Sequence, residues 1–211
     1  MFPILHIGPL AVQLPGLILL ISIYLGLIIA EKFAGRSDIT INDLYNLTFT
    51  TLISGILGAR LVYIAQFPNA FLKSPISIIS PNPALLDPLG GITIGIIASA
   101  IYIQRKAIPT WKVLDAITPL LAIFAVGIGF AHLSSGTAYG MPTHLPWAIS
   151  LWGQNRHPTQ IYEITLAILV LWLTIPLPKI KFKNIESFMC QSTGMRFLVF
   201  GTLSLLSRIF L

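Results

Sequence analysis

Residues 10–30 of the sequence, LAVQLPGLILLISIYLGLIIA, contain no charged side chain. About 20 apolar residues is the length that a helix needs to cross the hydrocarbon layer of a bilayer. We therefore predict a first transmembrane helix here. Because the first thirty residues hold no Lys or Arg, they lack the basic region of a cleavable signal peptide, and we expect this segment to be retained.

The composition extends this prediction to the rest of the chain. Of the 211 residues, 55% are hydrophobic and 9% are charged, and the mean hydropathy is +0.84. Soluble domains carry roughly 25% charged residues, and disordered chains are poor in large apolar side chains, so both classes are excluded. We predict an all-α polytopic membrane protein with about six transmembrane helices in a single domain, residues 1–211. The predicted spans are about 10–30, 44–66, 86–104, 114–133, 160–177 and 194–211.

Two stretches between the spans have a different composition. Residues 67–85 are rich in Pro, Ser and Asn around the apolar stretch Ile76–Ile79, which is typical of an arm lying at the membrane interface. Residues 134–159 combine turn-forming Gly and Pro with Trp147 and Trp152. We expect an ordered outer loop there, either a surface cap with interfacial tryptophans or a lid over polar groups.

Glycines in two of the predicted spans indicate where helices approach each other. Gly55 and Gly58 lie in the second span, and Gly127 and Gly129 lie in the fourth. Small residues let membrane helices pack closely. We therefore predict tight helix contacts at both pairs.

The basic residues set the orientation. Nine Lys or Arg residues fall in three loops on one side of the predicted bundle, and only Lys73 and Arg156 fall in loops on the other. The three basic loops are 31–43, 105–113 and 178–196. Basic loops stay in the cytoplasm, so we predict that both termini lie outside it. The net charge of +6 is explained by this asymmetry with some attraction to anionic lipid, and no nucleic-acid partner is predicted.

Polar and ionisable side chains near the outer ends of the spans form the candidate site. Ionisable groups inside spans are costly and often functional. The predicted layer contains Arg60, His132, Arg156, His157, Gln160, Tyr162, Glu163, Ser204, Ser207 and Arg208. Because a guanidinium can bind two phosphate oxygens at once, this layer predicts a pocket for an anionic lipid headgroup.

Structural alternatives remain open for several candidates. An arginine near a span end can reach the interface without a ligand, which fits Arg208, whereas Arg60 lies a full turn or more inside its span and fits a buried role. Glu163 is better explained as an ion-pair partner than as a free base, because an unpaired carboxylate there would be protonated. The single cysteine, Cys190, excludes an internal disulfide, and no metal-ligand spacing is present, so we expect no metal or cofactor.

Several motifs resemble those of one family. The R-H-P-[ST]-Q-L-Y-E segment of prolipoprotein diacylglyceryl transferases is similar to residues 156–163, RHPTQIYE. Their Y-G-x-P-T-x-L-P-W run resembles residues 139–147, and their G-A-R-L-x-Y matches residues 58–63. The start of their G-G-L-S-F-H-G-G motif resembles residues 90–93, GGIT. The order and spacing of these motifs hold over essentially the whole chain.

The resemblance implies transfer of a diacylglyceryl group from phosphatidylglycerol to the lipobox cysteine of a prolipoprotein, at the outer face of the bacterial inner membrane. Such a reaction needs a base for the thiol and cationic or hydrogen-bonding groups for the departing glycerol phosphate. On this basis His132 and His157 are the candidate catalytic residues. The candidate headgroup-binding residues are Arg60, Arg156, Gln160, Tyr162, Glu163 and Arg208.

Several positions of the family motifs carry other residues in this chain. Gly95 or a near neighbour stands at the histidine of G-G-L-S-F-H-G-G. Along G-R-x-G-N-F-x-N-G-E, the arginine aligns with Gly129, the first asparagine with His132 and the acid with Thr137. In the last span, Ser204 and Arg208 stand at the arginine and glutamate of G-x-x-R-x-x-x-E.

These replacements favour a catalytically degenerate relative that serves as a lipid-binding or structural subunit of a larger membrane complex. The family also continues into a seventh span, and we expect a partner to cover the helix surface exposed without it. The alternative is an active transferase in which His132 is the base and Arg208 replaces a missing phosphate ligand.

Overall fold

The computed structural model describes residues 4–7, 10–35, 39–80, 82–175 and 192–209. Within these ranges the chain forms seven α-helices and two short hairpins. The helices are α1 (Leu14–Ala34), α2 (Ile41–Gln66), α3 (Pro68–Lys73), α4 (Pro88–Arg105), α5 (Thr110–Ser135), α6 (Thr159–Thr174) and α7 (Met195–Ile209). The chain divides into two compact units: unit 1 comprises Met1–Asp38 and Trp111–Leu211, and unit 2 comprises Ile39–Thr110.

The predicted all-α membrane fold is confirmed. Among the described residues, helices α1, α2 and α5 are long and apolar enough to cross a membrane. Helices occupy the other three predicted spans as well, but α4, α6 and α7 have only 18, 16 and 15 residues. The number of crossings therefore stays a prediction. Pro176 and Pro178, which the sequence places at the end of the fifth span, lie outside the described residues.

The predicted first span begins too early. Residues Leu10–Gln13 form strand β2, which pairs antiparallel with β1 (Ile4–Ile7). Helix α1 begins only at Leu14, with Pro15 in its first turn, where a missing backbone N–H costs nothing. Hydropathy alone cannot separate a short apolar strand from the start of a helix, so this hairpin could not be predicted from hydropathy.

Glycines set the closest helix approaches in unit 1. Gly127 of α5 lies against Ser22 of α1. A Cβ atom added to Gly129 would lie 2.7 Å from Cγ1 of Ile164, so α5 and α6 meet almost backbone to backbone there. The close packing predicted for Gly127 and Gly129 is confirmed.

Unit 2 is built on an equally close pair of helices, α2 and α4. A Cβ atom added to Gly58 would lie 2.6 Å from Cβ of Ile94, and one added to Gly55 would lie 3.3 Å from the carbonyl oxygen of Gly91. These contacts confirm the packing predicted for Gly55 and Gly58. Such close approach increases dispersion contacts, which are a main source of helix association in a bilayer.

Replacing Gly58 with alanine tests this packing. We expect Gly58→Ala to lower the stability of the protein by about 1–3 kcal/mol, because the added methyl group has no room beside Ile94. Gly201→Ala is the matched control, since nothing lies within 4 Å of the Cβ position in α7. The control should gain roughly 0.5–1 kcal/mol from helix propensity. Thermal unfolding in detergent micelles measures both variants, and equal upward shifts would contradict the packing.

Candidate functional site

The 134–159 loop is ordered around a hairpin that leads into α6. Strand β3 (Ile149–Leu151) pairs antiparallel with β4 (Gln154–Arg156). The two turn residues, Trp152 and Gly153, have φ angles of 55° and 77°. Glycine adopts this left-handed region freely, whereas a tryptophan there is uncommon. Trp152 is tied back by its indole N–H, which donates to the carbonyl of Gly136 at 3.3 Å.

Arg156 is bound to this loop on several sides. Its guanidinium lies over the ring of Tyr139, 4.6 Å from the centroid. Nη1 donates to the carbonyl of Gly140 at 3.4 Å, and Nη2 donates to Oε1 of Gln154 at 3.0 Å. Its buried Nε has no hydrogen-bond partner among the described residues. The partners that the structure describes for Arg156 carry no negative charge, so its guanidinium can also pair with an anion.

Gln160 and Tyr162, at the start of α6, fasten the same loop to the helix. Gln160 is fully buried, and its Nε2 donates to the carbonyl of Thr137 at 2.7 Å. The Tyr162 hydroxyl accepts a hydrogen bond from the indole N–H of Trp147 at 2.8 Å. Both side chains were predicted to bind a headgroup, and both have structural partners in the loop. The buried Oε1 of Gln160 has no partner in the described part of the chain.

His157 contributes mainly through its backbone. Its carbonyl accepts hydrogen bonds from the N–H groups of Gly140 and Thr159, at 3.2 and 2.9 Å. Its ring centroid lies 6.4 Å from that of Tyr162. A Cβ atom at Gly140 would come within 2.7 Å of Cβ of His157, so the loop passes close to this residue. These contacts give His157 a place in the loop but do not test its predicted catalytic role.

Glu163 is the centre of a cluster in which its carboxylate forms a hydrogen bond with His132 and an ion pair with Arg208. Its carboxylate is 7% exposed. Oε2 lies 2.7 Å from Nδ1 of His132, and Oε1 lies 2.6 Å from Nη2 of Arg208. The second contact is an ion pair without the angles of a hydrogen bond. Sequence reasoning predicted that Glu163 is an ion-pair partner rather than a free base, and the contact with Arg208 confirms the ion pair.

A small cavity opens beside this cluster. It is lined by Ala125, Glu163, Ala167, Val170, Ser204, Ser207 and Arg208. Its volume of about 40 Å³ holds only a few water molecules. Three residues from the predicted polar layer at the end of α7 therefore reach one cavity with Glu163, but the space is far smaller than a phospholipid.

Arg60 lies in unit 2 and has a different set of partners. Its guanidinium donates to the carbonyl oxygens of Ser77, Ile78, Ser80 and Leu85. The distances from Nε to Ile78, from Nη1 to Leu85 and from Nη2 to Ser80 are each 3.0 Å. Four of its five N–H donors are used by these carbonyls. The lipid-binding role predicted for Arg60 stays a prediction.

The contacts of two residues in unit 1, Tyr139 and Asp115, were not predicted from the sequence. Tyr139 carries the face on which Arg156 stacks, and Asp115 accepts hydrogen bonds from the backbone N–H groups of Gly194 and Phe197 at 2.6 and 3.1 Å. The second contact satisfies free N–H groups at the start of α7. An aspartate inside an apolar segment was the available signal, because a carboxylate there needs donors.

A sequence model of the prolipoprotein diacylglyceryl transferase family matches residues 3–211. The chain belongs to this family. The family assignment made from the motifs is therefore confirmed, and it places the chain among bacterial membrane proteins.

Curated relatives named phosphatidylglycerol–prolipoprotein diacylglyceryl transferase agree with this assignment. The Finegoldia magna protein is 29% identical over 188 residues, which are 89% of this chain and 74% of the relative. The Synechococcus elongatus protein is 28% identical over 184 residues, 81% of this chain and 64% of the relative. The Bordetella parapertussis protein is 28% identical over 207 residues, 92% of this chain and 79% of the relative.

Neutralising Glu163 tests the ion-pair cluster. We expect Glu163→Gln to lower the free energy of unfolding by about 1–3 kcal/mol, because His132 and Arg208 lose their shared carboxylate. The half-exposed Arg208 keeps the loss below that of a fully buried pair. Thermal or denaturant unfolding of Glu163→Gln, Arg208→Gln and the double variant forms a double-mutant cycle. Additive losses would show that the two side chains do not interact.

Proposed function

We propose that this chain binds phosphatidylglycerol through Arg156 and the Glu163 cluster and no longer transfers its diacylglyceryl group. The observation that carries the proposal is the packing at Gly129. The family motif has an arginine at this position. In this chain the position is filled by a helix contact.

The packing at Gly129 leaves no path for an arginine side chain. A Cβ atom there would lie 2.7 Å from Cγ1 and 3.2 Å from the backbone nitrogen of Ile164. A side chain can rotate out of such a contact, but a backbone atom moves only if α6 moves with it. Helices α5 and α6 would have to separate to admit the arginine. The close packing at Gly129 therefore supports the inference that the site lacks the cation that the family motif has at this position.

The surroundings of Gly95 in unit 2 also support the proposal that the chain no longer catalyses the transfer. A Cβ atom at this buried glycine would lie 3.3 Å from the carbonyl oxygen of Thr51. The hydroxyl groups nearby belong to Ser99 and Thr51, which lie 2.6 Å apart, and Ser99 also donates to the Gly95 carbonyl at 2.7 Å. The family motif has a histidine at or near this position. Neutral hydroxyls in its place cannot serve as a general base near neutral pH.

The charged groups present in unit 1 of this chain suit a phosphate diester. Arg156 and Arg208 carry two positive charges, and Glu163 supplies one negative charge, so these three groups keep one net positive charge. A phosphatidylglycerol headgroup carries one negative charge on its phosphate. Arg208 is 55% exposed, so its guanidinium can reach a ligand outside the small cavity while still pairing with Glu163. Hydrogen bonds from a guanidinium to a phosphate are charge-assisted and among the strong ones.

Active transfer remains the second candidate, and the His132 contact favours it. An imidazole held at 2.7 Å by a carboxylate is an arrangement that can take a proton from a thiol. The curated relatives also carry the transferase name. In that case a prolipoprotein cysteine would be the second substrate.

A mass-spectrometric assay separates the two candidates. We expect the purified protein, given phosphatidylglycerol and a peptide with a lipobox cysteine, to produce no diacylglyceryl mass gain on the cysteine. The Bordetella parapertussis relative run beside it checks the assay. A mass gain that disappears in His132→Ala and Arg156→Ala would overturn the proposal that the chain has lost transferase activity.

Lipid retention tests the binding half of the same prediction. Phosphatidylglycerol that copurifies from mild detergent should fall several-fold in Arg208→Gln and less in Arg208→Lys, which keeps the charge. Arg105→Gln is the matched control, because Arg105 lies in the last turn of α4 in unit 2. Equal retention in all variants would contradict the binding site. A protein that copurifies in fixed ratio would identify the chain as a subunit of a larger complex.

We also propose that the chain lies in the bacterial inner membrane with both termini outside the cytoplasm, as the distribution of basic residues supports. Met141 is 81% exposed in the 134–159 loop, and Gln104 is exposed near the end of α4. In a Cys190→Ser background, a membrane-impermeant maleimide should label Met141→Cys in intact cells and Gln104→Cys only after permeabilisation. The reverse labelling pattern would show that the chain has the opposite orientation.

A further inference from the structure

Unit 2 contains an irregular segment whose apolar side chains point away from the protein. After α3, the chain forms 3-10 turns at Pro75–Ile79 and Pro83–Leu85. Leu72, Ile76 and Ile79 are 77%, 84% and 86% exposed. These fractions exceed those of the outward-facing leucines and isoleucines of α2 and α4, such as Leu57 at 60%.

The backbone of this segment is held from the protein side by Arg60. Its Nε, Nη1 and Nη2 atoms donate to four carbonyl oxygens between Ser77 and Leu85. Two further carbonyls, those of Ser74 and Asn82, accept from the N–H groups of Ser77 and Leu85 at 3.0 and 3.2 Å. One guanidinium therefore replaces the hydrogen bonds that a regular helix would have made.

This arrangement matters because of the solvent around a membrane protein. Irregular backbone is excluded from hydrocarbon unless its polar groups find partners within the protein. A carbonyl that loses water and gains no donor costs free energy. Arginine is suited to the task, because its five donors lie in a rigid planar fork and remain charged. Because Arg60 satisfies the carbonyls of Ser77, Ile78, Ser80 and Leu85, burying this part of the backbone away from water costs less free energy.

We propose that the side chains of Leu72, Ile76 and Ile79 insert into the acyl layer of the membrane, and that Arg60 is the residue that makes this insertion possible. Apolar side chains at the neighbouring ends of the two helices are also exposed: Phe67, which follows α2, is 50% exposed, and Leu89 in the first turn of α4 is 76% exposed. The exposed Lys73 lies beside the inserted residues and can meet lipid phosphates. A bilayer is the partner that these side chains fit, because hydrocarbon can surround exposed apolar groups without a complementary binding surface.

Nitroxide labels measure the depth of the segment directly. In a Cys190→Ser background, Ile76→Cys and Ile79→Cys are labelled and the protein is placed in vesicles of phosphatidylcholine and phosphatidylglycerol. Leu57→Cys serves as the reference for hydrocarbon and Gln104→Cys as the reference for an exposed polar site. We expect labels at both isoleucine positions to collide with oxygen as the Leu57 label does, and several-fold less with a water-soluble nickel chelate than the Gln104 label does.

The role of Arg60 is tested in the same vesicles. Arg60→Lys keeps the charge but removes the fork, so access of the nickel chelate to both labels should rise several-fold. Arg105→Lys is the control and should leave both labels unchanged. Labels accessible to the chelate with Arg60 intact would overturn insertion. Labels shielded from both oxygen and the chelate would show a protein partner instead. Unchanged depth in Arg60→Lys would overturn the role of the arginine.

Discussion

Backbone polar groups inside a bilayer must find partners within the protein, and this requirement explains where the chain places its few charges. The helices satisfy it through their own hydrogen bonds. Where the chain leaves a helix, ionised side chains supply the missing partners. Arg60 donates to four carbonyls of the irregular segment after α3. Asp115 accepts from two free N–H groups at the start of α7.

The same requirement explains why side chains of the motif at residues 156–163, which resembles a binding site, contact the neighbouring loop. Gln160 and Tyr162 hold the 134–159 loop against the start of α6, and Arg156 stacks on the same loop. Loop backbone needs buried donors and acceptors as much as a ligand does. The contacts also fix the first turns of α6, which carry Glu163. Gln160 and Tyr162 can therefore belong to the family motif and still influence the Glu163 cluster only by fixing the position of α6.

Hydropathy was sufficient to locate the helices, because a bilayer demands long apolar segments. It failed at Leu10–Gln13, where a strand of the same apolar character precedes α1. Glycine spacing predicted the contacts of Gly58 and Gly129, since small residues have few other uses in a membrane helix. The partners of Arg60 could not be predicted, because a guanidinium suits a phosphate and a set of carbonyls equally well. Only the path of the chain decides between them.

The charge reversal at Arg208 is explained by the carboxylate beside it. The family motifs place arginines at the positions of Gly129 and Ser204 and a glutamate at that of Arg208. Glu163 is 7% exposed, and a buried carboxylate without a cation is costly. Once the two arginines are absent, a glutamate at position 208 would add a second negative charge near Glu163. An arginine there, 2.6 Å from the carboxylate, restores the balance. Arg208 therefore supplies the cation that the buried carboxylate of Glu163 requires in this chain.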